Sequence, residues 1–211
     1  MDHSHMANFI LFGGSFNPFH NGHFQMVHAA HKHCPKTPII LIPAGSPPHK
    51  QNVKQLSFEH RYQMLKNLAK EEGEWLRCSD IEGKATEPTY TLHTIRAFQK
   101  KHPKSKLFFL IGGDSLRDLP KWFCFKELVS EVQLLIIERP GVNTDAALTA
   151  LEVHLSPYEL NLLREHTIPM RPSELSSSKI REGIEAGVTL KETVPRAIFS
   201  YLEKRDLLGG F

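Results

Sequence analysis

Residues 8–33 have the sequence NFILFGGSFNPFHNGHFQMVHAAHKH, which predicts a strand, a glycine turn and a helix in direct succession. The apolar run Asn8–Phe12 is typical of a buried strand. Gly13 and Gly14 end that strand and allow the backbone to approach a ligand closely. A turn follows, and the stretch Gly22–His33 has the pattern of a helix. This unit is the first part of an arrangement in which strands and helices alternate.

The same alternation of short apolar runs and longer amphipathic stretches continues along the chain. The further predicted strands are Pro38–Pro43, Leu76–Ile81, Leu107–Ile111, Gln133–Ile137 and Thr167–Met170. The further predicted helices are Phe58–Lys70, Thr91–Lys101, Phe123–Ser130, Pro157–His166, Ser178–Ala186 and Val194–Lys204. Fully apolar strands that alternate with helices indicate a parallel sheet covered on both faces. The sequence therefore predicts an α/β fold with a doubly wound, mostly parallel, Rossmann-like sheet, in which the turn-rich stretch Pro140–Ala147 is a connection.

The composition is that of an ordinary globular protein. The chain has 211 residues, of which 40% are hydrophobic and 23% are charged, and this suits one domain with a sizeable core. No apolar run approaches the ~18 residues of a membrane-spanning helix, and the N-terminus lacks the pattern of a secretory signal. We expect residues 1–6 to be a leader or a disordered tail, residues 7–211 to form a single domain, and no membrane to be a partner.

Charge and cysteine content narrow the expected partners and location. The three cysteines are odd in number and far apart, which argues against a disulfide framework and for a reducing compartment, so we expect a cytoplasmic protein. The net charge of +3 suits an anionic small molecule and is too small to indicate nucleic acid. The sequence leaves the oligomeric state open, a homo-oligomer included.

In a doubly wound sheet the ligand lies at the carboxyl ends of the strands, so functional residues should follow the strand runs. His20 and His23, after the first strand, are three residues apart across the start of a helix and can share one face. The free N–H groups and dipole of a first helical turn favour phosphate, and imidazoles can donate to it. The alternative is a glycine turn with two surface histidines, but the full string at one strand-helix junction favours an anion site.

A second helix start with the same character lies near the end of the chain, at Leu175–Arg181. Serines are preferred at helix N-caps, and the new helix again offers N–H groups to phosphate, with Arg181 one turn further on. In isolation this would be an ordinary cap with an exposed arginine. Two such helix starts at one cleft would form a cradle for a triphosphate.

Two further groups follow intermediate strands. Lys50, on a Pro-rich loop, could reach phosphate as a point charge or could simply be solvated. Asp114 follows Gly112 at the end of a strand and is placed to accept from ribose hydroxyls. Trp122 could pack in the core, or its ring face could bind a cationic ring. Such a cation–π interaction is worth ~0.5–2 kcal/mol.

The string at residues 13–23, GGSFNPFHNGH, resembles the HxGH nucleotidyltransferase superfamily pattern Gly-Gly-Ser/Thr-Phe-Asp-Pro-x-His-x-Gly-His, with Asn17 where Asp is usual. Neither a Walker A string nor Gly-x-Gly-x-x-Gly is present. Residues 175–181 resemble the superfamily's Ile-Ser-Ser-Thr-x-Ile-Arg. The Pro-His-Lys of residues 48–50 is similar to one branch, the bacterial nicotinate-nucleotide adenylyltransferases, and Tyr-Thr, Ile-Gly-x-Asp and Trp-aromatic strings follow in the expected order.

The resemblance implies a nucleotidyltransferase fold and a reaction in which ATP and nicotinate mononucleotide give deamido-NAD and pyrophosphate. It implies catalytic roles for His20, His23, Lys50 and Arg181. The ATP-binding residues that it implies are Gly13, Gly14, Ser15, Phe16, His20, His23, Asp114, Ser177, Ser178 and Arg181. The mononucleotide-binding residues that it implies are Lys50, Tyr90, Thr91, Gly112, Asp114, Trp122 and Phe123.

Mg²⁺ is expected to arrive with ATP, because the sequence shows no all-protein carboxylate cage. ATP and nicotinate mononucleotide are the expected partners. The alternatives are an adenylyltransferase acting on phosphopantetheine or nicotinamide mononucleotide, a class I aminoacyl-tRNA synthetase core, and a non-catalytic nucleotide-sensing module. The Tyr90-Thr91 and Trp122 set favours a pyridine ring, and the chain is too short to carry a tRNA-binding domain as well.

Overall fold

The computed structural model describes residues 8–45, 55–85, 88–138, 142–170 and 175–210. Within these ranges six strands form one sheet: β1 (Phe9–Gly14), β2 (Ile39–Pro43), β3 (Leu76–Cys78), β4 (Leu107–Gly112), β5 (Gln133–Ile137) and β6 (Thr167–Ile168). The strand order is β3-β2-β1-β4-β5-β6, and every neighbouring pair is parallel. This is the doubly wound order, and it confirms the predicted fold class. The predicted leader, residues 1–6, lies outside the described residues.

The helices in the described ranges are α1 (Asn21–His33), α2 (Phe58–Glu72), α3 (Thr91–Lys101), α4 (Phe125–Glu131), α5 (Thr144–Ala150), α6 (Pro157–Glu165), α7 (Ser177–Glu185) and α8 (Arg196–Lys204). Short 3-10 turns span Gly113–Arg117, Leu119–Lys121 and Leu151–Val153. The seven predicted helices are confirmed with small shifts at their ends. Among the described residues no helix has both the length and the apolar character needed to cross a membrane.

Helix α5 corrects the prediction that Pro140–Ala147 is only a connection. The helix begins at Thr144, and the Asn143 side chain accepts a hydrogen bond from the Ala146 N–H at 2.9 Å. Asparagine favours both turns and helix N-caps, so the turn signal at Asn143 was in fact the start of a helix. The predicted strand Leu76–Ile81 was too long, because the ladder with β2 ends at Cys78.

Alternate residues of the strands point into two separate cores, one on each face of the sheet. Ile10 and Leu41 belong to the core covered by α1, α2, α7 and α8. Leu11 and Ile42 belong to the core covered by α3 to α6. Because both faces are covered, the strands are apolar throughout rather than alternating, as the sequence indicated. The edge at the carboxyl ends of the strands remains as the place where a ligand can meet both layers.

Candidate active site

The winding of the sheet reverses between β1 and β4, and the two strands part there. Their ladder runs from Phe9 paired with Leu107 to Leu11 paired with Phe109. Beyond that point β1 continues along β2 to Gly14, whereas β4 continues along β5 as far as Gly112. The crevice between the diverging ends is where doubly wound sheets bind ligands.

The segment from β1 to α1, residues 13–20 (the glycine turn), leads into a pair of histidines that cap the helix reciprocally. His20 is the N-cap, and its Nδ1 accepts a hydrogen bond from the His23 N–H at 3.3 Å. The His23 Nδ1 accepts from the His20 N–H, also at 3.3 Å. The two rings stack with their centroids 3.7 Å apart. Histidines here take the place of the Ser and Glu of an ordinary capping box.

This capping arrangement decides which ring nitrogen carries the proton. A backbone N–H can only donate, so each Nδ1 must accept, and the neutral form of each ring has its proton on Nε2. The Nε2–H groups of His20 and His23 are therefore the donors that the pair can offer to an anion. Since His20 is only 2% exposed, its ring is held in one orientation by the packing around it.

Three phenylalanines hold the His23 ring on its other sides. Phe12, Phe16 and Phe19 have ring centroids 5.9, 5.2 and 5.2 Å from that of His23. Phe16 adopts φ of 45°, in the left-handed region that costs of order 1–3 kcal/mol for a bulky side chain. A Cβ added at Gly14 would lie 2.8 Å from the Phe16 ring, so a glycine is required beside it. The turn is thus shaped by close packing around the histidine pair.

Helix α7 packs its first turn onto the glycine turn. The Ser177 hydroxyl donates to the Pro18 carbonyl at 3.1 Å, and Arg181 Nη1 donates to the Asn17 carbonyl at 3.0 Å. Arg181 Nη2 also donates to the Ser178 hydroxyl at 3.2 Å. The structure therefore brings Arg181, Ser177 and Ser178 to the same turn as the histidine pair, as the sequence predicted. Arg181 is half-buried, and part of its guanidinium group holds backbone.

The local electrostatics at these helix starts favour an anion. The first turns of α1, α3, α7 and α8 contain no acidic residue, whereas those of α2, α4, α5 and α6 each contain one. Acidic side chains at a helix start neutralise its positive dipole end. The positive ends of α1, α3 and α7 are therefore not neutralised by an acidic side chain of their own first turn.

A second group of aromatic side chains gathers at the start of α3. The Tyr90 and Phe123 rings stack with centroids 4.6 Å apart, and the His93 ring meets Phe123 edge-on at 5.2 Å. Phe123 is 44% exposed, so the stack has an open face. Tyr90 is the N-cap residue of α3 but makes no side-chain capping bond, and the helix proper begins at Thr91. Amides of this first turn lie directly beside the aromatic stack.

Of the two roles that the sequence left open for Trp122, the structure shows core packing, and a contact with a cationic ring stays a prediction. Trp122 is half-buried and packs on the core, and its ring meets that of Phe109 edge-on at 6.3 Å. Phe109 in turn lies against the glycine turn, because a Cβ added at Gly13 would be 3.3 Å from its ring. Phe109 therefore links the turn of β1 to the aromatic side of the site.

The remaining predicted residues lie at the end of β4 or beyond the described ranges. Gly112 is the last residue of β4, and Asp114 is exposed in the 3-10 turn that follows it. Lys50 lies outside the described residues. Among the described residues, the structure thus shows two groups of predicted side chains, one at the glycine turn and one at the start of α3.

Comparison with known proteins identifies the family. The cytidylyltransferase-like family model matches residues 11–183. A protein of Clostridium tetani named probable nicotinate-nucleotide adenylyltransferase is 32% identical over 202 residues, which cover 96% of this chain and 99% of the relative. One of the same name from Gloeobacter violaceus is 32% identical over 208 residues, with 93% of this chain and 94% of the relative covered. The chain belongs to the nicotinate-nucleotide adenylyltransferase family.

Solved structures carrying this family name have the same fold. Nicotinic acid mononucleotide adenylyltransferase of Plasmodium falciparum complexed with NaAD matches with a TM-score of 0.72 at 19% identity, and the match covers 97% of this chain and 98% of that chain. The same protein complexed with APC matches with a TM-score of 0.71. At this identity the likeness concerns the fold alone, and it confirms the predicted nucleotidyltransferase architecture.

Sequence reasoning within this family pattern missed two charged residues that shape the site. Arg61 is 2% exposed and donates from Nη1 to the Ser15 carbonyl of the glycine turn at 2.9 Å. Glu82 accepts from the Gly45 N–H at 3.0 Å and from the Thr94 hydroxyl at 2.7 Å, so it joins the end of β2 to α3. Neither residue lies in a recognisable motif. The one available signal was Arg61 itself, a charged residue on the apolar face of a predicted helix.

Proposed function

We propose that this protein transfers the adenylyl group of ATP to nicotinate mononucleotide, giving deamido-NAD and pyrophosphate. The observation that carries the proposal is the stacked, reciprocally capped pair of His20 and His23, with Arg181 on the same glycine turn. Membership of the nicotinate-nucleotide adenylyltransferase family supports the choice of substrates.

The chemistry requires little beyond positioning and charge. The attacking group is a phosphate oxygen of the mononucleotide, which is largely dianionic at neutral pH because the second pKa of a phosphate monoester is ~6. It attacks the α-phosphorus of ATP in line, the bond to the bridging oxygen breaks, and pyrophosphate leaves with that electron pair. No general base or covalent intermediate is needed. The obstacle is the repulsion between two polyanions, so donors fixed in advance should supply most of the catalysis.

On the ATP side, we assign the Nε2–H donors of His20 and His23 to the α-phosphate and the leaving oxygen. Arg181 and Lys50 would neutralise the β- and γ-phosphates. The first turn of α7 would bind phosphate oxygens through the N–H groups of Ser177 and Ser178. The start of α1 would act through its dipole, because the N–H groups of Asn21 and His23 are already bonded. The other ATP-binding positions that we propose are Gly13, Gly14, Ser15, Phe16, Asp114, Ser177 and Ser178.

On the mononucleotide side, the aromatic groups at the start of α3 suit a pyridinium ring. Trp122 and Phe123 would face the ring, because an aromatic face attracts a cation. The carboxylate of nicotinate would accept from amides around Thr91 and Phe123, beside the Tyr90 ring. Asp114, next to Gly112, would accept from ribose hydroxyls. An amide in place of the carboxylate would lose charge-assisted hydrogen bonds at this position.

The side chains at the glycine turn that we assign to ATP are imidazole, hydroxyl and guanidinium groups, whereas Mg²⁺ is usually held by carboxylates together with the phosphates of a substrate. We therefore propose that Mg²⁺ enters bound to the phosphates of ATP, where it would supply charge neutralisation on the leaving pyrophosphate.

Release of pyrophosphate tests the proposal. The purified protein is incubated with Mg²⁺ and ATP, together with nicotinate mononucleotide, nicotinamide mononucleotide or phosphopantetheine in separate reactions. We expect release with nicotinate mononucleotide above all, and deamido-NAD as the product by mass spectrometry. Faster pyrophosphate release with another acceptor would identify that acceptor as the substrate instead. Binding of ATP without pyrophosphate release in any of the reactions would favour a nucleotide-sensing module.

A further inference from the structure

A buried arginine lies directly beneath the glycine turn. Arg61 is the fourth residue of α2, and its guanidinium group makes two hydrogen bonds to backbone carbonyls. Nη1 donates to the Ser15 carbonyl at 2.9 Å, and Nε donates to the Leu56 carbonyl at 3.0 Å. The Phe58 ring covers it with a centroid 5.7 Å from the guanidinium carbon. One side chain therefore bridges the turn after β1 and the segment that leads into α2.

The bridge is reinforced at the same place by Asn17. The Asn17 side-chain oxygen accepts from the Leu56 N–H at 3.0 Å, so both backbone groups of Leu56 are bound by the pair Asn17 and Arg61. Arg181 donates to the Asn17 carbonyl at 3.0 Å. Two arginines therefore hold the glycine turn, one from α2 and one from α7.

The charge of Arg61 has no close carboxylate partner among the described residues, since its two hydrogen bonds go to neutral carbonyls. Glu82 acts on it at longer range, and both oxygens of Glu82 are already engaged with Gly45 and Thr94. Burial lowers the pKa of Arg61, which expresses the cost of keeping this cation out of water. A neutral side-chain donor could connect the same two segments without the free-energy cost of burying a charge.

We propose that Arg61 is a positioning residue for adenylyl transfer, which fixes the Ser15 end of the glycine turn through its two carbonyl contacts. This proposal rests on the proposed function. Through Ser15 and Asn17, the arginine holds the backbone that leads into the His20 N-cap, so the two Nε2–H donors keep their spacing. A displacement of about 1 Å in such a group can cost on the order of 100-fold in rate.

The test compares Arg61→Gln and Arg61→Lys with the wild-type protein. Glutamine removes the charge and cannot bridge both carbonyls, while lysine keeps the charge but reaches only one. Arg77→Gln is the matched control, because Arg77 is an exposed arginine of β3 whose Nε also donates to a backbone carbonyl, that of Glu74. Arg61→Lys is the milder variant, so the comparison stands even where the neutral variant is too unstable to purify.

We expect kcat of Arg61→Gln to fall about 10- to 100-fold, with KM for ATP changing less than kcat, and kcat of Arg61→Lys to lie in between. Arg77→Gln should keep the wild-type kcat. A wild-type kcat in Arg61→Gln would overturn the proposal. A wild-type kcat in Arg61→Lys would overturn the two-carbonyl bridge, because one donor would then suffice.

Hydrogen exchange followed by mass spectrometry supplies a readout that does not depend on activity. We expect Arg61→Gln to raise exchange in peptides that cover residues 15–23 and to leave peptides of β4 and β5 unchanged, with no such change in Arg77→Gln. Faster exchange throughout the sheet would overturn the proposal, since the role of Arg61 would then be global stability. Should the wild-type protein release no pyrophosphate, the proposed function fails, while the exchange data still decide whether Arg61 positions the turn.

Discussion

Replacement of His20 by asparagine separates the two roles of that side chain, helix capping and donation to phosphate. In the structure its Nδ1 caps α1 by accepting from the His23 N–H, and the proposed function assigns its Nε2–H to phosphate. Asparagine is among the best N-cap residues, because its side-chain oxygen can take the place of Nδ1. It cannot extend a donor to the position of Nε2. His20→Ala removes both functions and is the matched comparison.

The magnitudes follow from these contacts. Both variants lose the ring stack on His23, 3.7 Å between centroids, so that loss cancels when they are compared with each other. What differs is the cap, which is worth about 0.5–2 kcal/mol for asparagine over alanine. At about 2–4 °C per kcal/mol for a chain of this size, Tm of His20→Asn should exceed that of His20→Ala by about 1–8 °C. Loss of one transition-state donor should lower kcat by ~10²–10³ in both variants.

The measurements are thermal unfolding followed by circular dichroism and pyrophosphate release at saturating substrates. We expect the two variants to differ in Tm and to share the same low kcat. An asparagine variant with near-normal kcat would refute the role of Nε2–H as a donor. Equal Tm values would show that the reciprocal cap contributes nothing to stability.

Three further predictions concern the mononucleotide, the metal and an exposed helix cap. In steady-state kinetics, Trp122→Ala should raise KM for nicotinate mononucleotide and leave KM for ATP unchanged. A raised KM for ATP with an unchanged KM for the mononucleotide would instead assign Trp122 to the ATP side of the site. Removal of Mg²⁺ by EDTA should abolish pyrophosphate release without changing the far-ultraviolet circular dichroism, whereas loss of helix signal would indicate a structural metal. Hydrogen bonds from Ser156 lower the pKa of Glu159, so this cap stabilises the fold above the ordinary glutamate pKa of about 4.3 and is lost as pH falls through the lower folded-state value. Glu159→Ala should therefore lower Tm at pH 7, and the difference should shrink by pH 3.

Local patterns were good predictors of the elements of this chain. The strand Gln133–Ile137 and the helix Thr91–Lys101 were predicted with the bounds that the structure shows. Their signals are short-range, since apolar runs and amphipathic periodicity act within a few residues. Helix α5 was missed because the asparagine that caps it is equally common in turns. The motif strings likewise predicted the histidine pair and Arg181, because the residues next to them in sequence form recognisable phosphate-binding patterns.

The contacts that shape the site were beyond local reasoning. That Arg181 would bind the carbonyl of Asn17, 164 residues away, depends on how α7 packs against the sheet. The buried position of Arg61 and the bridging role of Glu82 depend on the packing of α2 and α3 in the same way.

The amino-acid sequence alone determined the order of the strands and of every helix except α5, the sheet type and the family, because each rests on residues that are near neighbours along the chain. Only the tertiary structure decided which polar groups from distant parts of the chain hold the glycine turn. The physical reason is that a buried donor binds whichever carbonyl the packing of the layers brings within reach, and that choice leaves no trace in local sequence.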